Sequence, residues 1–169
     1  MDDSRAGRAT QAFREGVTLW KVHKDRHGAV EKLSLCLSLV PGVPEALYNR
    51  ALILAELGED DRAVQDLRAL EASGSPLAQQ LATLFDVHAQ ATVSIGVKKL
   101  RDGAVAEAVE LFTRASVFAP DNPVPYNNRG LALRAAGDDV AALKDLDTAV
   151  QLGWQGEHYL FDTAGPADE

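Results

Sequence analysis

The sequence is poor in the residues that most site chemistry draws on. It holds one cysteine, Cys36, so no disulfide can form within the chain. It has one methionine, and aromatic residues make up only 6%. No apolar stretch approaches the ~18 residues that a membrane span needs. The opening, Met1-Asp2-Asp3-Ser4, has neither the basic start nor the apolar run of a signal peptide. A reduced, cytoplasmic protein without a membrane span is the expectation. Cations are also in deficit, with 17 Lys/Arg against 25 Asp/Glu and a net charge of −8. Phosphate binding needs a basic face, so nucleic acid is not expected as the main partner. The charge is uneven: residues 1–32 carry seven Lys/Arg and five Asp/Glu, and the remaining residues ten and twenty.

Signatures of catalysis are missing as well. There is no G-x-x-x-x-G-K-[ST] phosphate loop, no C-x-x-C and no dinucleotide fingerprint. His23 and His27 stand four apart, a spacing that can hold a metal on a helix, but no glutamate follows His23. They read as surface histidines, and His88 and His158 are isolated. Asp60-Asp61 and Asp138-Asp139 read as helix-start residues rather than a catalytic dyad. The expectation is no catalytic residue, no metal site and no cofactor. An enzyme is the alternative that a metal or cofactor bound to purified protein would revive.

What the chain does contain is internal repetition. Ala29-Val30, Ala63-Val64, Ala108-Val109 and Ala142-Leu143 recur at steps of 34, 45 and 34 residues. Leu33, Leu67, Phe112 and Leu146 follow each alanine by four positions, and Cys36, Leu70, Ala115 and Ala149 by seven. Gly58, Gly103 and Gly137 precede it by five, and Val17, Ala51, Gly96 and Gly130 by twelve. Within each unit, apolar residues recur every three to four positions, a helical spacing. Small residues fall where two helices approach closely. Larger ones such as Phe13, Trp20, Leu47, Leu54, Tyr126 and Leu133 fill the gaps between layers. Glycine suits a helix end that needs positive φ, and Pro41 and Pro120 stop the second helix of a unit. Pro44 and Pro123 open the next.

A 34-residue helix–turn–helix unit with a small residue, a glycine turn, an alanine and a terminal proline resembles the tetratricopeptide repeat. The resemblance implies an all-α fold, a right-handed α-solenoid of about four repeats. Residues 1–9 read as an N-terminal extension and 10–156 as the array, with units 10–43, 44–77, 89–122 and 123–156. Unit one departs from the pattern, with Lys24 in place of the turn glycine. In unit three Lys99 stands in a column otherwise apolar, and Leu100 is the candidate for its buried role. The 45-residue step leaves a helical insert at 78–88. From Ser75-Pro76 to Arg101 there is no further proline, so one long helix over 76–101 is expected, with a separate helix at 76–87 as the alternative. Residues 157–169 hold a short apolar patch, His158-Tyr159-Leu160-Phe161, and an acidic tail.

One interaction follows from the columns alone. Arg50 and Asp66 match Arg129 and Asp145, while units one and three lack both members, with Gly16 and Lys32 in one and Ile95 and Leu111 in the other. Arg50–Asp66 and Arg129–Asp145 are therefore expected as ion pairs joining the two helices of a unit, worth ~0–1 kcal/mol each if exposed.

Family resemblance further implies that the first helices line a concave groove that holds a peptide or helix of another protein. Candidate groove residues are Arg14, Lys21, Tyr48, Asn49, Leu52, Val93, Val97, Arg101, Val124, Asn127, Leu131 and Arg134. Some family members grip an acidic C-terminal peptide with a Lys/Asn/Lys/Arg set. Here Arg14, Thr18, Gln90 and Ser94 stand at positions that set would need, so that mode is not expected, although Asn49 fits it. The inferred groove is mixed, an apolar stripe ringed by cations, suited to apolar anchors with some acidic residues. Two alternatives stay open. Several of these aliphatics belong to the core between repeats, or the chain is a self-associating scaffold that pairs through its C-terminal face or the long helix, with Leu77, Leu81, Leu84 and Phe85.

Overall fold

The computed structural model describes residues 4–156. Over them the chain forms eight α-helices and no strand: α1 (Arg5–Lys21), α2 (Arg26–Leu39), α3 (Pro44–Leu57), α4 (Asp60–Ala72), α5 (Leu77–Arg101), α6 (Val105–Phe118), α7 (Pro123–Ala135) and α8 (Asp139–Gln151). Two compact units divide it, one ending at Thr83 and the other beginning at Leu84. The patch and tail expected at 157–169 lie outside the described residues, as do residues 1–3.

In the first unit α1 packs on α2, α2 on α3 and α3 on α4. In the second, α6 packs on α7 and α7 on α8. These packed pairs are neighbours in sequence, as in a helical repeat. The ends are set locally. Ser4 Oγ accepts from Gly7 N at 3.0 Å and starts α1 at Arg5, five residues ahead of the first unit's expected start. Pro44 and Pro123 occupy the first turns of α3 and α7, where a missing N–H costs nothing. Gly58 ends α3 with φ +77°, and Glu59 N bonds back to Leu54 O at 2.9 Å. Gly103 and Gly137 do the same with φ +82° and +87°. Beyond α4, Ser75 Oγ accepts from Leu77 N at 3.3 Å and α5 begins just after Pro76. It is a single helix of 25 residues. At ~1.5 Å per residue its length is about 37 Å.

The two helices of a hairpin meet where a side chain is smallest. A Cβ added at Gly130 would lie 2.9 Å from Leu146 Cγ and 3.1 Å from the Ala142 carbonyl. At Gly96 it would lie 2.6 Å from Phe112 Cε1. Ala51 fills the same column in the second hairpin and is fully buried. Around these points Leu33, Phe112, Leu70, Ile53 and Leu54 are at most 1% exposed. Each such side chain stabilises the fold by ~1.5–3 kcal/mol on burial. In the second unit Phe85 and His88 of α5 meet the Phe118 ring edge-on, both at 4.8 Å.

The first hairpin differs by one residue. The close-approach position is Gly16, not the Val17 of the sequence columns: a Cβ there would lie 3.0 Å from Leu33 Cγ and 3.2 Å from Ala29 O. The cause is the turn. Four residues, Val22 to Asp25, separate α1 from α2, against the pair Gly58-Glu59 between α3 and α4. The longer turn moves α1 back one position, which leaves Phe13 and Trp20 half-buried and buries Ala9 and Ala12 instead. Lys24, standing where the other turns have glycine, takes a left-handed φ of +59°.

The same offset revises the ion-pair reading. Glu15, not Gly16, occupies the column of Arg50, and it meets Lys32 at 2.6 Å. The first hairpin thus carries the pair with its charges exchanged, and this Lys32 contact holds the Glu15 carboxyl below its ordinary range. In the second hairpin Arg50 Nε donates to Asp66 Oδ2 at 2.9 Å and Nη2 to Oδ1 at 2.7 Å. Its remaining Nη1 donates to Ser34 Oγ of α2 at 2.9 Å. In the fourth, Arg129 donates to both oxygens of Asp145 at 2.6 and 2.7 Å, and Nη1 reaches Thr113 and Ser116 of α6 at 3.2 and 3.3 Å. Each arginine therefore ties three helices. Side-chain exposures of 20% and 6%, and of 19% and 10%, put both pairs well inside the surface.

Two outcomes test this account. Asp145→Ala strands the Arg129 guanidinium in a largely dry site, and chemical denaturation should read a loss of about 2–4 kcal/mol; a loss under about 0.5 kcal/mol would mark the pair as an exposed one. Lys24→Gly relieves the left-handed backbone at the first turn and should raise stability by about 0.5–1 kcal/mol in the same assay.

Candidate peptide-binding surface

The candidate residues lie on the first helices of the hairpins, a separate set in each unit. In the first unit α1 and α3 supply it. Arg14 and Lys21 are exposed on α1, and the Lys21 ammonium lies 5.9 Å from the centre of the half-buried Trp20 ring. On α3, Tyr48 and Leu52 are half-buried, one turn apart, and present part of their apolar surface. Asn49 Nδ2 donates to the Glu45 carbonyl of its own helix at 2.6 Å, so its amide donor is engaged in the backbone.

In the second unit the candidates separate by burial. Arg101 and Arg134 are exposed and Val124 is half-buried. Val93 and Val97 are 2% and 1% exposed, Leu131 8% and Asn127 0%. These four fill the interior, and no visiting side chain reaches them without displacing the packing. The reason lies in the helix itself: Gly96 and Gly130 pull α5 and α7 onto their partners, and neighbouring positions on the same face go inward with them. The surface that remains is narrower than the sequence stripe and richer in cations.

Several contacts were not legible in the columns. Lys99 Nζ meets Glu107 of α6 at 2.6 Å, and that hydrogen bond raises the pKa of the lysine. Lys99 and Leu100 are both half-buried, so the apolar column is shared rather than filled by one of them. Arg26 of α2 meets Glu56 of α3 at 2.6 Å. The first unit also holds an apolar cavity of about 250 Å³ against Ala6, Ala9, Phe13, Cys36, Val40 and Val43. Its origin is legible in hindsight: small residues on α1 face a cysteine on α2. Cys36 is 1% exposed, and burial pushes its thiol pKa up, which disfavours the reactive thiolate.

Among the described residues no group of three His, Cys, Asp or Glu side chains is arranged to hold a metal ion. None of the described helices is long and apolar enough to cross a membrane.

No family model matches the chain. Among curated proteins, it is 40% identical over 65 residues to tetratricopeptide repeat protein 36 of Mus musculus, a stretch of 38% of this chain and 35% of that protein. The Homo sapiens protein of the same name is 40% identical over 57 residues, 34% of this chain and 30% of the relative. The match thus spans about a third of the length of these relatives. Among solved structures, TTC0263, a thermophilic tetratricopeptide-repeat protein of Thermus thermophilus, superposes with a TM-score of 0.40 at 22% identity, covering 86% of this chain and 74% of that one. YrrB, described as a tetratricopeptide-repeat protein with an unusual peptide-binding site, gives 0.39 at 16% identity, with 86% of each chain covered. In its recurring hairpin, and in the segment matched in the curated proteins, this chain is similar to tetratricopeptide-repeat proteins.

Proposed function

We propose that the protein is an interaction module that holds a peptide or helix of another protein on the exposed faces of its first helices, and that it acts as an adaptor or assembly factor. The observation that carries this reading is the presence on the first helices of one unit of exposed cations, Arg14 and Lys21, and of half-buried apolar surface at Tyr48 and Leu52. A partner that fits carries one or two apolar anchors beside acidic residues, because carboxylates complement the cations and the anchors remove apolar surface from water. The engaged amide of Asn49 and the absence of the second lysine of the Lys/Asn/Lys/Arg set argue against a tail-carboxylate grip.

Two substitutions in one structural column separate binding from folding. Leu52→Glu changes a half-buried position, and Leu131→Glu the equivalent buried one. The Leu131 variant should lose about 3 kcal/mol or more of stability, since it forces a carboxylate into the interior. The Leu52 variant should keep its helicity by circular dichroism. Against peptides selected from a displayed library on the full chain, Leu52→Glu and Arg14→Glu with Lys21→Glu should each weaken binding at least tenfold. Undiminished binding by both folded variants would remove this surface from consideration.

A further inference from the structure

The first helix of the chain is longer than the repeat requires, and its added turn walls a cavity. Eleven positions separate the start of α1 from the close-approach Gly16, against seven from Pro44 to Ala51 and seven from Pro123 to Gly130. The extra turn is fixed locally. Ser4 Oγ accepts from Gly7 N at 3.0 Å, and Arg5 donates to the Ser38 and Leu39 carbonyls at the end of α2. This turn brings Ala6 to the apolar cavity of about 250 Å³ in the first unit. The exposed Ala6, Thr10 and Glu45 rim the cavity, and Ala9 and Cys36 form its buried part. Cys36 stands in the column that the larger Leu70 fills in the second hairpin, where it is 0% exposed.

Size selects the occupant. A cavity of about 250 Å³ is smaller than the ~300–1,000 Å³ of sites that enclose a drug-sized molecule. It is larger than the ~150 Å³ of an apolar cavity that takes up benzene. One aromatic ring or one branched aliphatic side chain fits. Charge at the mouth then orients the chain that bears it. Arg14 is exposed one turn on from Thr10 along the same face of α1, and Glu45 lies on the α3 side. An acidic residue beside the anchor is drawn to Arg14 and repelled by Glu45. We propose that this cavity is the anchor pocket for a partner peptide, taking one aromatic or branched apolar side chain while an acidic neighbour in the same peptide meets Arg14. This assignment rests on the peptide-binding reading above and names where the anchor goes. Atoms lining an empty apolar cavity lack contacts on one side, and a seated side chain restores them while leaving water itself.

Calorimetric titration of the full chain with a peptide selected from the displayed library sets anchor against cavity in a double-mutant cycle. Replacing the peptide's apolar anchor with alanine should weaken binding to the native chain about tenfold or more. Cys36→Leu copies Leu70 and fills the cavity. It should keep native helicity by circular dichroism and weaken the unaltered peptide about tenfold or more, while the alanine peptide binds both chains within about twofold. Ala6→Leu narrows the mouth from an exposed position and should act in the same direction; it supplies the test if Cys36→Leu does not fold. Toluene, a probe of the cavity alone, should raise the melting temperature of the native chain and leave that of Cys36→Leu unmoved. Additive losses in the cycle, peptide affinity untouched by the folded variants, or a native chain that ignores toluene would each overturn the proposal. If Leu52→Glu and the Arg14 and Lys21 variant still weaken the peptide in that event, the peptide-binding reading stands and only the pocket falls. A library that yields no binder defeats both.

Discussion

Everything in this chain hangs on one steric constraint, the meeting of two helix backbones at a point that admits no more than a methyl group. At Gly96 and Gly130 the neighbouring side chain or carbonyl already fills the space a Cβ would take. That approach brings the alanine columns into contact, buries Phe112 and Leu146 against the opposite helix, and fixes how each helix is turned about its axis. Rotation then decides the rest, because it determines which side chains of a first helix go inward and which stay out.

The arginine–aspartate pairs act on top of that geometry. An apolar contact between helices tolerates sliding and rotation, whereas a two-bonded guanidinium–carboxylate pair has one good arrangement. By reaching a third helix through Ser34 or through Thr113 and Ser116, Arg50 and Arg129 extend the register from one hairpin to the helix before it. The first hairpin reaches a similar result with Glu15 and Lys32, charges reversed and more exposed. In the third, the column is apolar, with Ile95 exposed and Leu111 half-buried.

For function, the consequence is a division of labour along each first helix. Residues beside the close-approach glycine, such as Val97 and Leu131, serve the core. Others, such as Arg14, Lys21, Leu52 and Arg134, keep contact with solvent. Such a fold carries binding in whatever occupies that outer strip, which is why the repeat identifies an architecture and leaves the partner to be read from particular side chains.

By itself the sequence determined the run of helical hairpins, the glycine turns of the last three and the two arginine–aspartate pairs. These rest on local spacing and on the repetition of whole columns, both visible in one dimension. Tertiary structure alone decided three things. The longer first turn shifts α1 by a position, so Gly16 and Glu15 replace Val17 and Gly16 in their columns. Burial separates Val93, Val97, Asn127 and Leu131 from the exposed cations they alternate with. Exposure differs at Ala91 of α5, which is open while its equivalents Ala46 and Pro125 are buried. In each case the sequence period is the same, and the outcome depends on the rotation of a helix against a neighbour distant in sequence, which no local pattern encodes.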